Sequence, residues 1–124
     1  MSVSLSNMEW KLMNQLWSAA PMTLMQLTRA LEEETGWTKH TVITMLTRLE
    51  NKGAVRWEQE GRTRHYFPVV SREEARREET AGFLDRVYGG RLGLMVNALV
   101  EDHALSREDI EELSAILRKA GEEK

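Results

Sequence analysis

The side chains best suited to chemistry in this chain are polar and cationic groups on one predicted helix, residues 39–51. On a helical wheel with 100° per residue, the side chains opposite the apolar Val42 are those of His40, Thr44, Thr47 and Asn51. Such short hydrogen-bonding groups match base edges in the DNA major groove, and flanking cations match phosphates. The predicted DNA-binding residues here are Thr38, Lys39, His40, Thr41, Thr44, Thr47 and Arg48. A solvated face of an ordinary helix remains the alternative.

The ends of this helix are indicated by its own sequence. Thr38 is a preferred N-cap type, and Trp37 before it can pack on Val42 as a hydrophobic staple. Gly53 is placed to end the helix. The apolar side chains expected to face the core are Val42, Met45, Leu46 and Leu49. At 1.5 Å per residue the helix is about 20 Å long, which suits a groove about 12 Å wide.

A β-hairpin is predicted directly after the helix. Residues 54–58 and 63–69 are rich in β-branched and aromatic side chains, and residues 59–62 supply a turn with Gly61. Arg62 and Arg64 stand at the tip and on one edge, within reach of a phosphate backbone. A plain edge hairpin whose arginines only increase solubility would show the same sequence pattern and is the alternative. Its position after a helix of the recognition type favours the DNA-binding interpretation.

Composition limits the class of protein. The chain has 124 residues, 41% of them hydrophobic, and no cysteine, so disulfides and thiolate metal sites are excluded. No apolar run reaches 18 residues and the N-terminus does not resemble a signal peptide, which predicts a cytoplasmic protein. The net charge is −3, but residues 38–66 carry +3 and residues 71–124 carry −4. This division favours a basic DNA-binding part and an acidic remainder.

The predicted fold is mainly α with a small β-hairpin. Capping boxes at Ser6 and Thr23 begin two helices before the one at Thr38, and with the hairpin they complete a winged helix-turn-helix domain over residues 1–70. Residues 71–124 are predicted to form a helical dimerisation domain, interrupted at Gly89 and Gly90.

The second domain carries more apolar surface than short helices can bury alone. The residues predicted to bury this surface in a homodimer are Phe83, Leu92, Met95, Leu99, Leu113 and Leu117. Docking of the same helices onto the winged helix of their own chain is the alternative.

No catalytic or metal-binding constellation is recognisable. His40, His65 and His103 are scattered over a helix, a strand and a loop, without the spacing of metal ligands. Most of the serines occupy helix caps or termini, and none has an evident base partner. We therefore expect no cofactor, no metal, no small-molecule substrate and no enzymatic activity.

The chain resembles the penicillinase-repressor family of bacterial transcription factors, which includes methicillin-resistance and copper-responsive repressors. The resemblance rests on ordered stretches that cover nearly the whole chain. These are residues 6–13, 16–17, 37–42, 44–49, 52–54, 83–90 and 105–113. It implies a homodimer on a palindromic operator. The copper-responsive branch ends in a cysteine cluster that this chain lacks, which excludes copper sensing through thiolates.

The resemblance also implies regulation by scission in antibiotic-responsive members, where a membrane sensor protease acts in the dimerisation helix. The corresponding bond here is Asn97–Ala98, with a small residue where family members commonly carry a bulkier one. The resulting hypothesis is a homodimeric repressor on an inverted-repeat operator, derepressed by proteolysis near Asn97. A winged helix that binds proteins without binding DNA is the alternative.

Overall fold

The structure is a computed structural model, and it describes residues 3–123. Within that range it contains six helices and one hairpin. The elements are α1 (Asn7–Ala19), α2 (Leu24–Thr35), α3 (Lys39–Asn51), β1 (Val55–Glu60), β2 (Thr63–Pro68), α4 (Arg72–Tyr88), α5 (Leu92–Glu101) and α6 (Arg107–Glu122). The predicted fold class, mainly α with a small β-hairpin, is confirmed.

The first three helices begin where their caps predict. The Ser6 side chain accepts a hydrogen bond from the backbone of Glu9, whose carboxylate accepts one from the Ser6 backbone. Thr23 and Gln26 form the same reciprocal pair at α2. Thr38 caps α3 by accepting from the Thr41 backbone N–H. Each pair satisfies donors that a helix N-terminus otherwise leaves without partners.

One core lies between these helices and the hairpin. The side chains that face it from α1, α2 and α3 are Leu12, Met13, Leu16, Leu27, Leu31, Val42, Met45, Leu46 and Leu49. Val55 of β1 and Tyr66 of β2 are also buried. Met22 and Tyr66 exchange two backbone hydrogen bonds, so the segment before α2 pairs with the hairpin. The arrangement is a winged helix-turn-helix, in which α3 occupies the position of the recognition helix and the β1–β2 hairpin occupies the position of the wing.

The wing differs from the prediction in its turn. The sequence predicts a turn over residues 59–62, but Glu60 pairs with Thr63, so the turn contains only Gly61 and Arg62. Gly61 has φ +64°, a backbone conformation that glycine adopts without steric cost and that a two-residue hairpin turn requires at its first position. The shorter turn lengthens β1 to Glu60.

The start of α4 belongs to the winged-helix core. Val70 and Ala75 are buried, the Trp17 indole donates to the Val70 carbonyl, and the Val3 N–H donates to Glu78. The first compact unit accordingly ends at Thr80 and the second begins at Ala81. The predicted domain border after Val70 stays a prediction, and these contacts favour Thr80 as the end of a stable fragment.

The second unit consists of the end of α4 with α5 and α6. No side chain of α5 or α6 is buried in the single chain. Ser106 and Asp109 form a capping box at α6. At α5, the N-cap residue Arg91 makes no side-chain capping bond. Capping therefore contributes less to α5 than to α6.

Candidate nucleic-acid interface

The outer face of α3 carries the residues that the sequence assigned to it. His40, Thr47 and Arg48 are exposed and Thr44 is half-buried, whereas Val42 on the opposite face is fully buried. Thr38 and Lys39 at the start of the helix are exposed, and Thr41 is half-buried. One continuous polar surface therefore runs along the side of the helix that faces away from the core.

Two threonines on this surface have already used their hydroxyl protons. The Thr44 hydroxyl donates to the His40 carbonyl at 3.0 Å, and the Thr47 hydroxyl donates to the Ile43 carbonyl at 2.9 Å. What each threonine offers a partner is therefore a hydroxyl lone pair and a methyl group. The side-chain donors on this surface of α3 are thus concentrated at Lys39, His40, Arg48 and Asn51.

Ile43 is a surface residue that the sequence analysis did not single out. Its side chain is 37% exposed and lies 100° from Val42 on the helix, beyond the stripe that faces the core. This angular offset could have identified Ile43 from the sequence, because an apolar residue outside the core-facing stripe of a DNA-binding helix can contact a base. Ile43 is next to Thr44 and one turn before Thr47.

The wing cations have different surroundings. The Arg64 guanidinium lies 3.9 Å from the ring centroid of Trp57, whose indole N–H donates to Glu50 at 2.9 Å. Arg56 lies on the other face of the ribbon, 4.2 Å from the Phe67 ring centroid, and forms an ion pair with Glu58 at 3.0 Å. Arg56 is thus neutralised within the chain.

Lys39, Arg62 and Arg64 converge on one cleft between the recognition helix, the wing and the start of α2. The cleft has a volume of about 520 Å³. Its lining residues are Thr23, Leu24, Met25, Lys39, Ile43, Gln59, Arg62, Thr63, Arg64 and Tyr66. No carboxylate lines it, and within residues 3–123 none of its three cations forms an ion pair. A cleft with three cations and no anion attracts a phosphate group.

An ion pair between the buried carboxylate of Glu9 and the exposed Lys52 holds the C-terminal end of α3 against α1. Lys52 donates to Glu9 at 2.6 Å and to the Ser4 carbonyl at 2.8 Å, and Glu9 is only 2% exposed. Burial alone would raise the pKa of Glu9. The hydrogen bonds from Lys52 and Ser6, together with the positive charge of Lys52, outweigh burial and lower that pKa below its usual 4.5. In the sequence, Glu9 is identifiable only as part of a capping box.

Comparison with known proteins identifies the family. The family model of the penicillinase repressor matches residues 5–119. The chain belongs to the penicillinase repressor family. The penicillinase repressor of Bacillus licheniformis is 32% identical over 115 residues, 93% of this chain and 90% of that one. The methicillin resistance regulatory protein MecI of Staphylococcus aureus strain N315 is 28% identical, over 93% of this chain and 94% of its own.

A solved structure matches the winged-helix part. The solution structure of the Bacillus licheniformis BlaI monomeric form in complex with the blaP half-operator has a TM-score of 0.51 and 28% identity, over 57% of this chain and 87% of that one. The resemblance that the sequence analysis stated, to penicillinase and methicillin-resistance repressors, is confirmed.

An apolar groove occupies the second unit of this family member. Of the six residues predicted at a dimer interface, five line a groove of about 690 Å³ between α5 and α6: Leu92, Met95, Leu99, Leu113 and Leu117. The sixth, Phe83, lies outside it and packs edge-on against Tyr88, with ring centroids 6.1 Å apart. Leu117 remains 65% exposed in the single chain. Surface of this kind is typical of a protein–protein interface.

The bond that the family resemblance assigns to scission lies within α5. Asn97 is exposed and donates to Glu101 at 3.3 Å, one turn further along the same helix. Ala98 is half-buried. The helical hydrogen bonds around this peptide bond must break before the chain there can become extended.

Residues 3–123 hold neither a group of side chains suited to a metal ion nor a helix suited to a membrane. No group of three or more histidine, cysteine, aspartate or glutamate side chains is placed to bind a metal ion. In the same range, no helix has both the length and the apolar character needed to cross a membrane.

Proposed function

We propose that this penicillinase-repressor family member is a DNA-binding transcriptional repressor that acts as a homodimer on an inverted-repeat operator. The observation that carries the proposal is the cleft in which Lys39, Arg62 and Arg64 meet without an opposing carboxylate, beside the polar face of α3. The complex of BlaI with a half-operator, on the same fold, supports it. Repression follows from occupation of the promoter, which requires no catalysis and would take place in the cytoplasm.

In this proposal the recognition helix lies in the major groove and the wing lies along the flanking phosphates. Arg48 is the expected guanine reader, because an arginine can donate two hydrogen bonds to O6 and N7. His40 and Thr41 lie beside it on the same surface. Lys39, Arg62 and Arg64 neutralise phosphates, and Thr38 holds the start of the helix as its cap. Phosphate contacts fix the position, and base contacts select the sequence.

Dimerisation provides the second DNA-binding head. One head carries a charge of +3 over residues 38–66, which gives weak electrostatic binding by itself. The groove between α5 and α6 is the surface for the partner copy, since burying each of its large apolar side chains contributes about 1.5–3 kcal/mol. Two-fold symmetry would then place the two recognition helices about 34 Å, or a multiple of it, apart along the DNA.

Derepression by a membrane sensor protease is a finer part of the proposal. Scission at Asn97–Ala98 would separate α6 from the rest of the chain and destroy the groove between α5 and α6. Mass spectrometry of the protein recovered from induced cells should detect a fragment that ends at Asn97. If only the intact chain is found after induction, this branch of regulation does not operate here.

The test of DNA binding uses the full chain and DNA from upstream of its own gene. Thr44→Ala combined with Arg48→Ala should abolish preference for the operator over random DNA, because a bidentate base contact contributes about 1–3 kcal/mol of discrimination. Circular dichroism should remain unchanged, since both side chains lie off the core. Arg77→Ala, an exposed cation on α4, is the matched control and should bind as the wild type does.

The alternative, a winged helix that binds proteins, makes the opposite prediction. A folded protein that binds neither promoter DNA nor random DNA at low salt would support it. Full operator affinity in the double variant would instead overturn the assignment of α3 as the recognition helix.

A further inference from the structure

The surface of the recognition helix between its cationic residues is rich in methyl groups. Ile43 presents an exposed branched side chain, and Thr44 and Thr47 follow at the next position and one turn later. Because both threonine hydroxyls donate to backbone carbonyls of α3, their remaining groups are methyls and oxygen lone pairs. We call Ile43, Thr44 and Thr47 the methyl patch.

We propose that the methyl patch recognises thymine through its C5-methyl group, so that an A·T pair faces it in each operator half-site. This inference rests on the proposed function, since it requires α3 to lie in the major groove. It gives Ile43 a part in sequence recognition, and no other proposed contact of α3 explains why an apolar side chain is exposed at this position.

The chemistry of the four base pairs favours A·T. In the major groove, thymine presents a methyl group and adenine presents an N6 amino donor. The methyl patch can contact the first through Ile43 and accept from the second through a threonine lone pair. Guanine presents two acceptors, N7 and O6, and the methyl patch has no free proton for either. Cytosine presents a donor but no methyl group.

The position of the methyl patch also suits this role. Ile43 lines the same cleft as Lys39, Arg62 and Arg64, so phosphates held by these cations would lie close to it. Burying one methyl group at such a contact favours binding by about fourfold. A palindromic operator would present the contact twice.

The experiment removes and restores single methyl groups on the DNA. The full chain is titrated against its operator, obtained by selection from random DNA, with each thymine replaced in turn by deoxyuridine in both half-sites. At one or two of these positions, the loss of one methyl group from each half-site should lower affinity about sixteenfold, fourfold for each half-site. Replacing the same T·A pair by C·G should weaken binding further, and 5-methylcytosine should recover part of that loss.

Protein variants identify the contacting side chain. The Ile43→Ala variant should still bind the operator, but its affinities for thymine-containing and uracil-containing DNA should no longer differ. The variant should keep its fold, because alanine is well tolerated in a helix. Thr47→Ser and Thr44→Ser remove one methyl each while retaining the hydroxyl, and should reduce that difference. Met25→Ala is the matched control: it is an exposed apolar residue of the same cleft on α2, and it should leave the difference unchanged.

The possible results separate this inference from the proposed function. Specific operator binding without sensitivity to uracil at any thymine overturns the inference alone. A uracil effect that persists fully in Ile43→Ala and in both serine variants overturns it as well. Failure of the folded wild type to bind any DNA overturns the proposed function and the inference together.

Discussion

The Trp57 indole donates a hydrogen bond of 2.9 Å to Glu50, and thereby connects the wing to the C-terminal end of the recognition helix. The guanidinium of Arg64 lies 3.9 Å from the centroid of the same ring. A guanidinium held on an aromatic face loses less conformational freedom on binding than a free one. Arg64 is therefore partly oriented before any phosphate reaches it.

The first prediction concerns the wing cations. Arg62→Ala and Arg64→Ala should each weaken binding to all DNA sequences alike, because phosphate contacts carry no base information. Because each of the two heads of the homodimer loses one phosphate contact, and each contact contributes about 0.9, each variant should flatten the slope of log K against log salt by about 1.8. Titrations between 50 and 200 mM salt, about the range over which such binding falls steeply, measure it.

Arg56→Ala is the control for these variants. It removes an arginine of the same strand pair that is already paired with Glu58, so it should leave the slope unchanged. A change of base preference in Arg62→Ala or Arg64→Ala would mean that the wing reads sequence, contrary to the assignment.

The second prediction concerns Trp57 as the residue that positions Arg64. Trp57→Leu should weaken DNA binding about twofold to fivefold for each head, the size of a cation–π contact of about 0.5–1 kcal/mol. Combined with Arg64→Ala it should add almost nothing, since the two residues act through one contact. Thermal unfolding of each variant separates this effect from loss of stability. Fully additive losses in the double variant would contradict a positioning role.

The third prediction concerns acid stability. The pKa of Glu9 is lowered in the folded protein, so its ionised form stabilises the fold above about pH 4.5 and this contribution disappears as pH falls below that value. Glu9→Gln keeps the capping geometry but removes the charge. It should lower the free energy of unfolding by about 1–2 kcal/mol at pH 7.

The difference between Glu9→Gln and the wild type should shrink as urea unfolding is repeated from pH 7 towards pH 3.5. Glu34→Gln breaks an exposed pair with Lys11 whose atoms are 3.9 Å apart, and should change stability by no more than a few tenths of a kcal/mol. A Glu9→Gln deficit that is equally large at both pH values would show that charge is not its source.

Local chemistry explains why so much of the fold was predictable. The helices begin directly after the caps Ser6, Thr23 and Thr38, because each cap acts within three residues of itself. The core face of α3 follows from the spacing of Val42 and Leu49. The residues of the polar face followed from the same periodicity.

The features that the sequence did not predict depend on long-range partners or on a choice between local conformations. The partner of Glu9 is Lys52, 43 positions away, so a capping motif could not indicate it. The position of Arg64 on Trp57 depends on strand register, and a four-residue turn would have placed the two directly opposite each other rather than diagonally. A threonine hydroxyl on a helix can also face solvent or its own backbone, which sequence does not decide.

The fourth prediction is that the groove between α5 and α6 is a homodimer interface on which operator binding depends. Leu117→Glu places a charge on its most exposed large side chain and should shift the protein towards monomer, because burying an unpaired carboxylate is unfavourable. Sedimentation at micromolar concentration should detect the change, and operator affinity should fall with it.

Two further proteins complete the test of the dimer. Ala115→Glu adds the same charge at a position 200° around α6 from Leu113, outside the groove lining, and should remain dimeric. A fragment that ends at Thr80 retains Val70 and Ala75 in its core, so it should fold while binding the operator far more weakly than the full chain. A wild-type monomer that binds the operator as tightly as any dimer would reject the two-headed mechanism, because a single head with a charge of +3 would then suffice.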